Sequence, residues 1–431
     1  MKKIKNLIQN NFAKSVLLIT GGTAFAQVIN ALLSPVITRI YTPEEYGILT
    51  VYIAVLNMLA IIGSLKYEWG IPIASDEKKA INVLSLSIIV LFIVTTIISL
   101  ILIFFGDTFL DLFDGQILLK YRFFIPLGVF FTGLYNIFTQ WAYRTKNYKS
   151  ISKTKLSQSI TQNVTKIGLG LLKIGPAGLI SGNILGQSAG ITTLSMPLIK
   201  KERFLLRKIN KRSIIWCAKR YKEFPLYSAP GQFLNTAGLQ LPTLFITSLY
   251  GNEVIGLYGL ANSIVNIPMN LIGNSIADVF YGEAASIGRT NPRRLKNLSK
   301  NLLKKSFIVG LIPLIILLLF GPLLFSIVFG ENWYQAGVYA RIISFLVFFR
   351  LIFTPITRIF FVYERQKESF ILDLLRVLLV LIVFIFSQIF SLSSYLAITL
   401  YSLAMSFVYL LAYLYAQRIL NDEIKNMRIN S

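Results

Sequence analysis

Four asparagines and an aspartate recur every fourth residue within one apolar stretch: Asn262, Asn266, Asn270, Asn274 and Asp278. Four residues advance a helix by about 400°, so the row drifts slowly and stays near one face. The same device returns as Thr132, Asn136, Gln140 and Arg144, and as Thr23, Gln27, Asn30 and Ser34. Shorter rows are Gln158, Gln162 and Lys166, and Gln232, Asn235 and Gln240. Amides and hydroxyls at this spacing exchange hydrogen bonds with polar ligands. Turned toward hydrocarbon they would be left unsatisfied at high cost, so they must face protein or water. One use is to glue helices together. The other is to line a hydrated cavity, which rows in several stretches favour.

Charges near membrane depth are few: Arg39, Lys166, Arg350, Arg358, Asp373 and Arg376. Asp373 and Arg376, three apart, predict a local ion pair. Arg39 and Arg358 stand near stretch ends, where a long side chain can reach the interface. Lys166 and Arg350 lie deeper and have no acidic neighbour in the sequence, which makes them the foremost binding candidates, with Arg39 beside them. Their sign suits an anionic ligand: Arg would hold a phosphate through paired donors and Lys as a point charge. The candidate lining is therefore Gln27, Asn30, Asn136, Gln140, Gln232, Asn235, Asn262, Asn266, Asn270 and Asn274 around these cations. Glu68, Asp278 and Asp373 are the carboxylates that could couple transport to an ion.

Missing chemistry narrows the function further. There is no histidine, which excludes imidazole catalysis and histidine metal sites. The single cysteine, Cys217, has no internal disulfide partner. No Gly-rich loop ends in Lys-Ser or Lys-Thr, so no ATPase motif is present, and neither a metal nor a cofactor is expected. Asp107, Asp111 and Asp114 could be read as a sugar-nucleotide or metal site, but their spacing fits an amphipathic interfacial stretch better.

The elements that must position these groups are spans. The chain has 431 residues, 55% of them hydrophobic and only 14% charged. Twelve apolar stretches are legible, at 13–40, 46–65, 80–105, 122–143, 152–172, 176–198, 223–249, 253–277, 304–328, 336–362, 369–390 and 394–416. Each is close to the roughly 20 residues a span requires. The net charge of +24 would suggest nucleic acid in a soluble protein, but the basic residues cluster at stretch ends, so no nucleic-acid partner is expected.

With Lys2, Lys3 and Lys5 placed in the cytoplasm, alternate gaps hold Lys66, Lys78 and Lys79; Arg144, Lys146 and Lys149; the run 200–222; the run 289–305; Arg365 and Lys367; and Arg418, Lys425 and Arg428. The outer gaps hold little beyond Lys120, Arg122 and Lys173. Both termini are then cytoplasmic. Ala24-Phe25-Ala26 mimics a signal-peptidase site, but apolar residues run on to Ile40, so the first stretch is read as a retained span.

The longest basic gap, 199–222, divides the spans six and six. Tyr41-x-x-Glu44-x-x-Gly47 after the first span is echoed by Tyr250-x-x-Glu253-x-x-Gly256 after the seventh. The expectation is an all-α polytopic membrane protein of twelve transmembrane helices in two parallel-repeat six-helix lobes, 1–205 and 206–431. Prolines at 35, 230, 242, 268, 313 and 355 lie in or beside the spans, where they kink helices.

Five segments carry a resemblance to a known family: RIYTPEEYG at 39–47, KYEWGIPIA at 66–74, YKEFPLYS at 221–228, GLYGLA at 256–261 running to Pro268, and FGENWYQAG at 329–337. In this order the chain resembles the bacterial polysaccharide flippases (Wzx-type, for O-antigen and capsule) of the multidrug/oligosaccharidyl-lipid/polysaccharide exporter superfamily. The resemblance implies two multidrug-exporter-like lobes and alternating access. It implies a substrate of oligosaccharide repeat units on undecaprenyl pyrophosphate, and a place in the bacterial cytoplasmic membrane. The implied partners are that lipid-linked oligosaccharide, membrane lipids, and a polysaccharide polymerase with its chain-length regulator. The motifs lie at helix ends, so they speak for architecture more than for ligand contacts. A drug exporter of the same superfamily, a membrane polymerase or glycosyltransferase, and a sealed scaffold are the rival readings.

Overall fold

The computed structural model describes residues 11–111, 116–287 and 291–429. Lys2, Lys3, Lys5, Asp114 and Arg289, and the side chains of Asp111, Asn274 and Asp278, lie outside the described residues. Every described element is helical, and helices stand at all twelve expected places. They are α1 (Asn11–Ile40), α2 (Pro43–Ile62), α3 (Glu77–Phe104), α4 (Phe124–Arg144), α5 (Tyr148–Leu171) and α6 (Pro176–Lys201). A short α7 (Lys211–Arg220) crosses the basic gap. Beyond it come α8 (Ala229–Val265), α9 (Asn274–Ile287), α10 (Pro292–Phe329), α11 (Tyr334–Phe353), α12 (Gln366–Ile389) and α13 (Ser394–Ile429).

Seven of these helices are long and apolar enough to cross a membrane, and the segments Phe224–Val265 and Met269–Ile287, bent by 40°, make an eighth candidate. The remaining expected spans, α4, α5 and α6, are too rich in Gly, Ser and amides to qualify on composition. Gln158 of α5 bonds Gln187 of α6, and the Tyr135 hydroxyl of α4 lies 3.2 Å from Thr154 Oγ1 of α5.

Local chemistry sets the helix starts. The motif around residues 41–47 encodes a capping box: Glu45 N donates to Thr42 Oγ1 at 3.3 Å, and Thr42 N donates to Glu45 Oε2 at 3.0 Å. Pro43 occupies the first turn, where its missing N–H costs nothing. Asp76 caps α3 by accepting from Lys79 N at 2.7 Å, and that bond holds its carboxyl below the usual carboxylate value. Asn147, Asn210 and Asn291 cap α5, α7 and α10 in the same way.

The chain forms two compact units, Met1–Gly256 and Leu257–Ser431. The division falls inside α8, beyond the basic gap at which the sequence divides its repeats.

In the first unit, glycines 178, 182, 186 and 190 form a ridge along α6. A Cβ on Gly182 would meet the Lys166 side chain, one on Gly186 the Gln162 side chain, and one on Gly190 Gln158 and Tyr135. Backbones this close are typical of small-residue membrane packing. At the basic end, Arg144 Nη1 donates to Ile71 O (3.0 Å) and Ala74 O (2.7 Å), holding the turn between α2 and α3. Asn82, fully buried, donates to Lys208 O at 3.2 Å and accepts from Asn210 N at 2.9 Å. It thereby latches the basic segment to α3. One face of α7 buries Cys217 and Tyr221 in a core shared with Ile81, Leu84 and Trp141.

α8 breaks at Gly251, whose φ of +81° excludes ordinary side chains. Just after the break the two echoed motifs meet. A Cβ on Gly47 would collide with the Asn252 carbonyl oxygen, and one on Gly256 with the Pro43 carbonyl oxygen. The contact is reciprocal.

In the second unit, Pro268 ends the α8 ladder and a π-helical turn, Met269–Gly273, leads into α9. α10 and α11 cross where Gly321 faces Gly337. α11 and α13 close the core around Phe348, Ile352 and Phe353.

Candidate functional site

The amide rows part company once packed. In the first unit, Asn30 Oδ1 accepts from Ser159 Oγ at 2.7 Å and from Asn163 Nδ2 at 2.6 Å, tying α1 to α5. Gln158 donates to Gln187 Oε1 at 3.0 Å, tying α5 to α6. These amides join helices. Lys166 is buried on the glycine ridge, with the Tyr41 hydroxyl donating to its backbone carbonyl at 2.7 Å. It forms no ion pair among the described residues. Gln27, Asn136, Gln140 and Gln232 are half-buried, and Arg39 and Asn235 are exposed. Gln27 Oε1 and Thr132 Oγ1 are buried without a hydrogen-bond partner among the described residues.

Glu68 sits in a closed local cluster. It accepts from Ser64 Oγ at 2.5 Å and lies 3.8 Å from Lys66 Nζ, both charged side chains being buried. Lys66 also stacks over Trp69 at 5.2 Å. Burial pushes the Lys66 ammonium below its ordinary value, and Glu68 opposes that shift. Leu65 and Lys66 both adopt left-handed backbone (φ 49° and 61°), so this turn is strained as well as charged.

The second unit carries the arrangement best suited to an anion. Asn266 Nδ2 donates to Asn262 Oδ1 at 2.7 Å, while Asn266 Oδ1 accepts from Arg350 Nη1 at 3.3 Å. The row on α8 thus orients a guanidinium from α11. Asn262 and Asn270 are exposed and Arg350 is half-buried, so this chain of groups is open on one side. Asn274 and Asp278 continue the row outside the described side chains.

Tyr401 of α13 lies within electrostatic reach of both Arg350 and Arg376, and shares a hydrogen bond with Tyr258. Arg376 pairs with Asp373 at 3.0 Å and stands over the Tyr409 ring at 5.5 Å. Its Nε is buried without a hydrogen-bond partner among the described residues. Among the described side chains, two guanidiniums against one carboxylate leave a net positive site, edged by amides and phenols. Such a site can hold a phosphate by charge and sugar hydroxyls by exchangeable hydrogen bonds. No cluster of metal-ligating side chains occurs among the described residues.

Sequence reasoning missed Tyr258, Tyr401, Ser159, Asn163 and Gln187. It also missed the α6 glycines, although their four-residue spacing is a readable packing signal.

A family model described as "Polysaccharide biosynthesis protein" matches residues 36–338, more than half of the chain. No curated protein matches. Among solved structures, an inward-facing multidrug resistance MATE family transporter of the MOP superfamily is 14% identical, with 93% of this chain and 96% of that chain covered and a TM-score of 0.74. A MOP superfamily transporter from Pyrococcus furiosus is 15% identical over 97% and 98% of the two chains, with a TM-score of 0.61. A MATE protein in complex with MaL6 is 16% identical over 97% and 98%, with a TM-score of 0.63. At these identities the likeness establishes the fold alone, the helical fold of these solved structures.

Proposed function

Because the chain belongs to the polysaccharide biosynthesis protein family, we propose that it is a flippase for undecaprenyl-pyrophosphate-linked oligosaccharide repeat units. It would move them across the bacterial cytoplasmic membrane by alternating access, for O-antigen or capsule assembly. It is a transporter and makes or breaks no covalent bond. The observation that carries this reading is the Asn262–Asn266–Arg350 relay, an oriented cation within spans eight and ten.

In this mechanism the polyprenyl chain stays in lipid while the pyrophosphate and sugars take a hydrated path. Arg350, with Arg376 nearby, offsets the cost of bringing the pyrophosphate charge to mid-membrane depth. Exposed amides such as Asn262 and Asn270 exchange hydrogen bonds with sugar hydroxyls. Many weak contacts suit a cargo that must leave again. Lys166 is the candidate cation of the first unit, and 1–205 and 206–431 act as the two repeats of the transport cycle.

The rival reading is a multidrug exporter, which the fold neighbours favour. Amphipathic cations call for an acidic pocket, and the second unit's site has the opposite sign.

The test is export in cells expressing Arg350→Ala or Lys166→Ala at normal protein level. Completed lipid-linked repeat units should accumulate on the inner leaflet. Normal export from both variants removes these residues from the mechanism. A gene deletion that leaves lipid-linked sugars unaltered removes the flippase reading itself.

A further inference from the structure

In the first unit, α7 buries one side and leaves the other bare. Cys217 is buried, and Ser213, Ile214 and Ala218 are half-buried. Lys211, Arg212, Ile215, Trp216, Lys219 and Arg220 are exposed. These six recur at i, i+1, i+4, i+5, i+8 and i+9, which is one continuous side of a helix. That side carries four cations, an isoleucine and a tryptophan, and no acid.

The four cations form no ion pair among the described residues. Between them stands open apolar surface, with Ile215 48% and Trp216 46% exposed. The Trp216 ring is oriented by Lys79, whose Nζ lies 5.1 Å from the ring centroid.

Depth and charge together select the occupant. α7 packs on the beginning of α3: Cys217 Sγ lies 3.9 Å from Lys79 O, and Asn82 bonds Lys208 O and Asn210 N just ahead of α7. The apolar run of that span opens at Ala80, directly after Lys78 and Lys79. α7 therefore lies at the level where a span passes from water into hydrocarbon, among the lipid headgroups. A nucleic acid would answer the cations but offers Ile215 no apolar medium. A zwitterionic lipid offers that medium but no net charge for four unpaired cations. An anionic phospholipid supplies both, a phosphate level with the cations and acyl carbon beside Ile215 and Trp216.

We propose that the exposed side of α7 docks on anionic phospholipid headgroups of the leaflet at the basic ends of the spans. Arg212 and Lys219 flank Ile215 on that side and hold the phosphates, while Ile215 and Trp216 dip into the acyl boundary. The docking is independent of what the transporter carries. Through the Asn82 latch, lipid gathered by α7 is held at the start of α3.

The experiment measures how fast Ile215→Cys, in the full-length chain, reacts with an uncharged maleimide in phosphatidylcholine nanodiscs with and without phosphatidylglycerol. The buried Cys217 gives the slow background, measured on the unmutated chain. Phosphatidylglycerol should slow the labelling about tenfold or more, and high salt should restore it. Arg212→Gln and Lys219→Gln, both at exposed positions, should each recover about fivefold, the worth of one charge near an anionic surface. Together they should return the rate to its phosphatidylcholine value. Because the double variant sits in the same charged bilayer, it separates docking from a change in surface pH. Fast labelling in both lipids would mean that α7 faces water and would turn the patch over to a soluble acidic partner. Slow labelling in both would mean lipid contact indifferent to charge. Either result, or slowing by phosphatidylglycerol that the glutamines do not relieve, overturns the proposal.

Discussion

Replacing Gly47 with Ala tests the reciprocal contact between the two echoed motifs. The added methyl would stand against the Asn252 carbonyl oxygen, a backbone atom that cannot rotate away. The helices must separate, and overpacking of this kind costs about 1–3 kcal/mol. Alanine regains about 0.5–1 kcal/mol of helix entropy relative to glycine, so the net loss should be about 0.5–2 kcal/mol. Gly256→Ala meets the Pro43 carbonyl from the other side and should cost a similar amount. Because one separation relieves both clashes, the double variant should fall short of the sum by about 0.5 kcal/mol or more. Gly21→Ala is the control: nothing lies within 4 Å of its added carbon, so only the entropy gain remains. The assay follows thermal unfolding in one detergent through reaction of Cys217, the sole cysteine and fully buried, with a thiol-reactive fluorophore. Singles as neutral as Gly21→Ala, or strict additivity, would refute a shared backbone contact.

Further outcomes are expected. Glu68→Ala should destabilise by about 3–5 kcal/mol, because it strands the buried Lys66 cation. Transport lost from Glu68→Gln at wild-type stability would instead mark Glu68 as a coupling group. Asp76→Ala should cost about 1 kcal/mol of stability as a lost helix cap. Since the Asp76 carboxyl is held below its unfolded value, its contribution is complete above that value near pH 4 and fades as pH falls through the lower, folded one; a pH series on wild type and Asp76→Asn would show whether the acid limb flattens. Cys217 should react with maleimide only on unfolding, since burial both shields its thiol and raises its pKa. Asn266→Ala should weaken export less than Arg350→Ala, because it frees the guanidinium without removing it.

Element positions were readable because span length and end charges are local properties. The caps at Thr42 with Glu45 and at Asp76, though equally local, went unread and were found only in the structure. The amide rows were equally readable as rows. Their use was not, because it depends on the neighbour that arrives from elsewhere in the chain. Asn30 and Asn262 look alike in the sequence and both are exposed, yet one accepts from Ser159 and Asn163 and ties two helices, while the other feeds a chain ending at Arg350. Arg144 continued one polar row by spacing, but the turn it secures uses its guanidinium on backbone carbonyls. Lys166 read as a lone cation, and only the opposing ridge shows that its stem is part of a helix contact. The tyrosines beside Arg350 carried no periodic signal, since α13 brings Tyr401 there from 51 positions further along the chain.

The Asn82 latch has a consequence for anyone who would swap halves between relatives. The stretch leading into the later spans is stitched onto α3, and α7 contributes Cys217 to the earlier core. A chimera joined at residue 205 would tear that seam, whereas one joined at the Gly251 break keeps the stitched piece with its own bed. Recombinants with the later junction should therefore express, and those with the earlier one should be degraded.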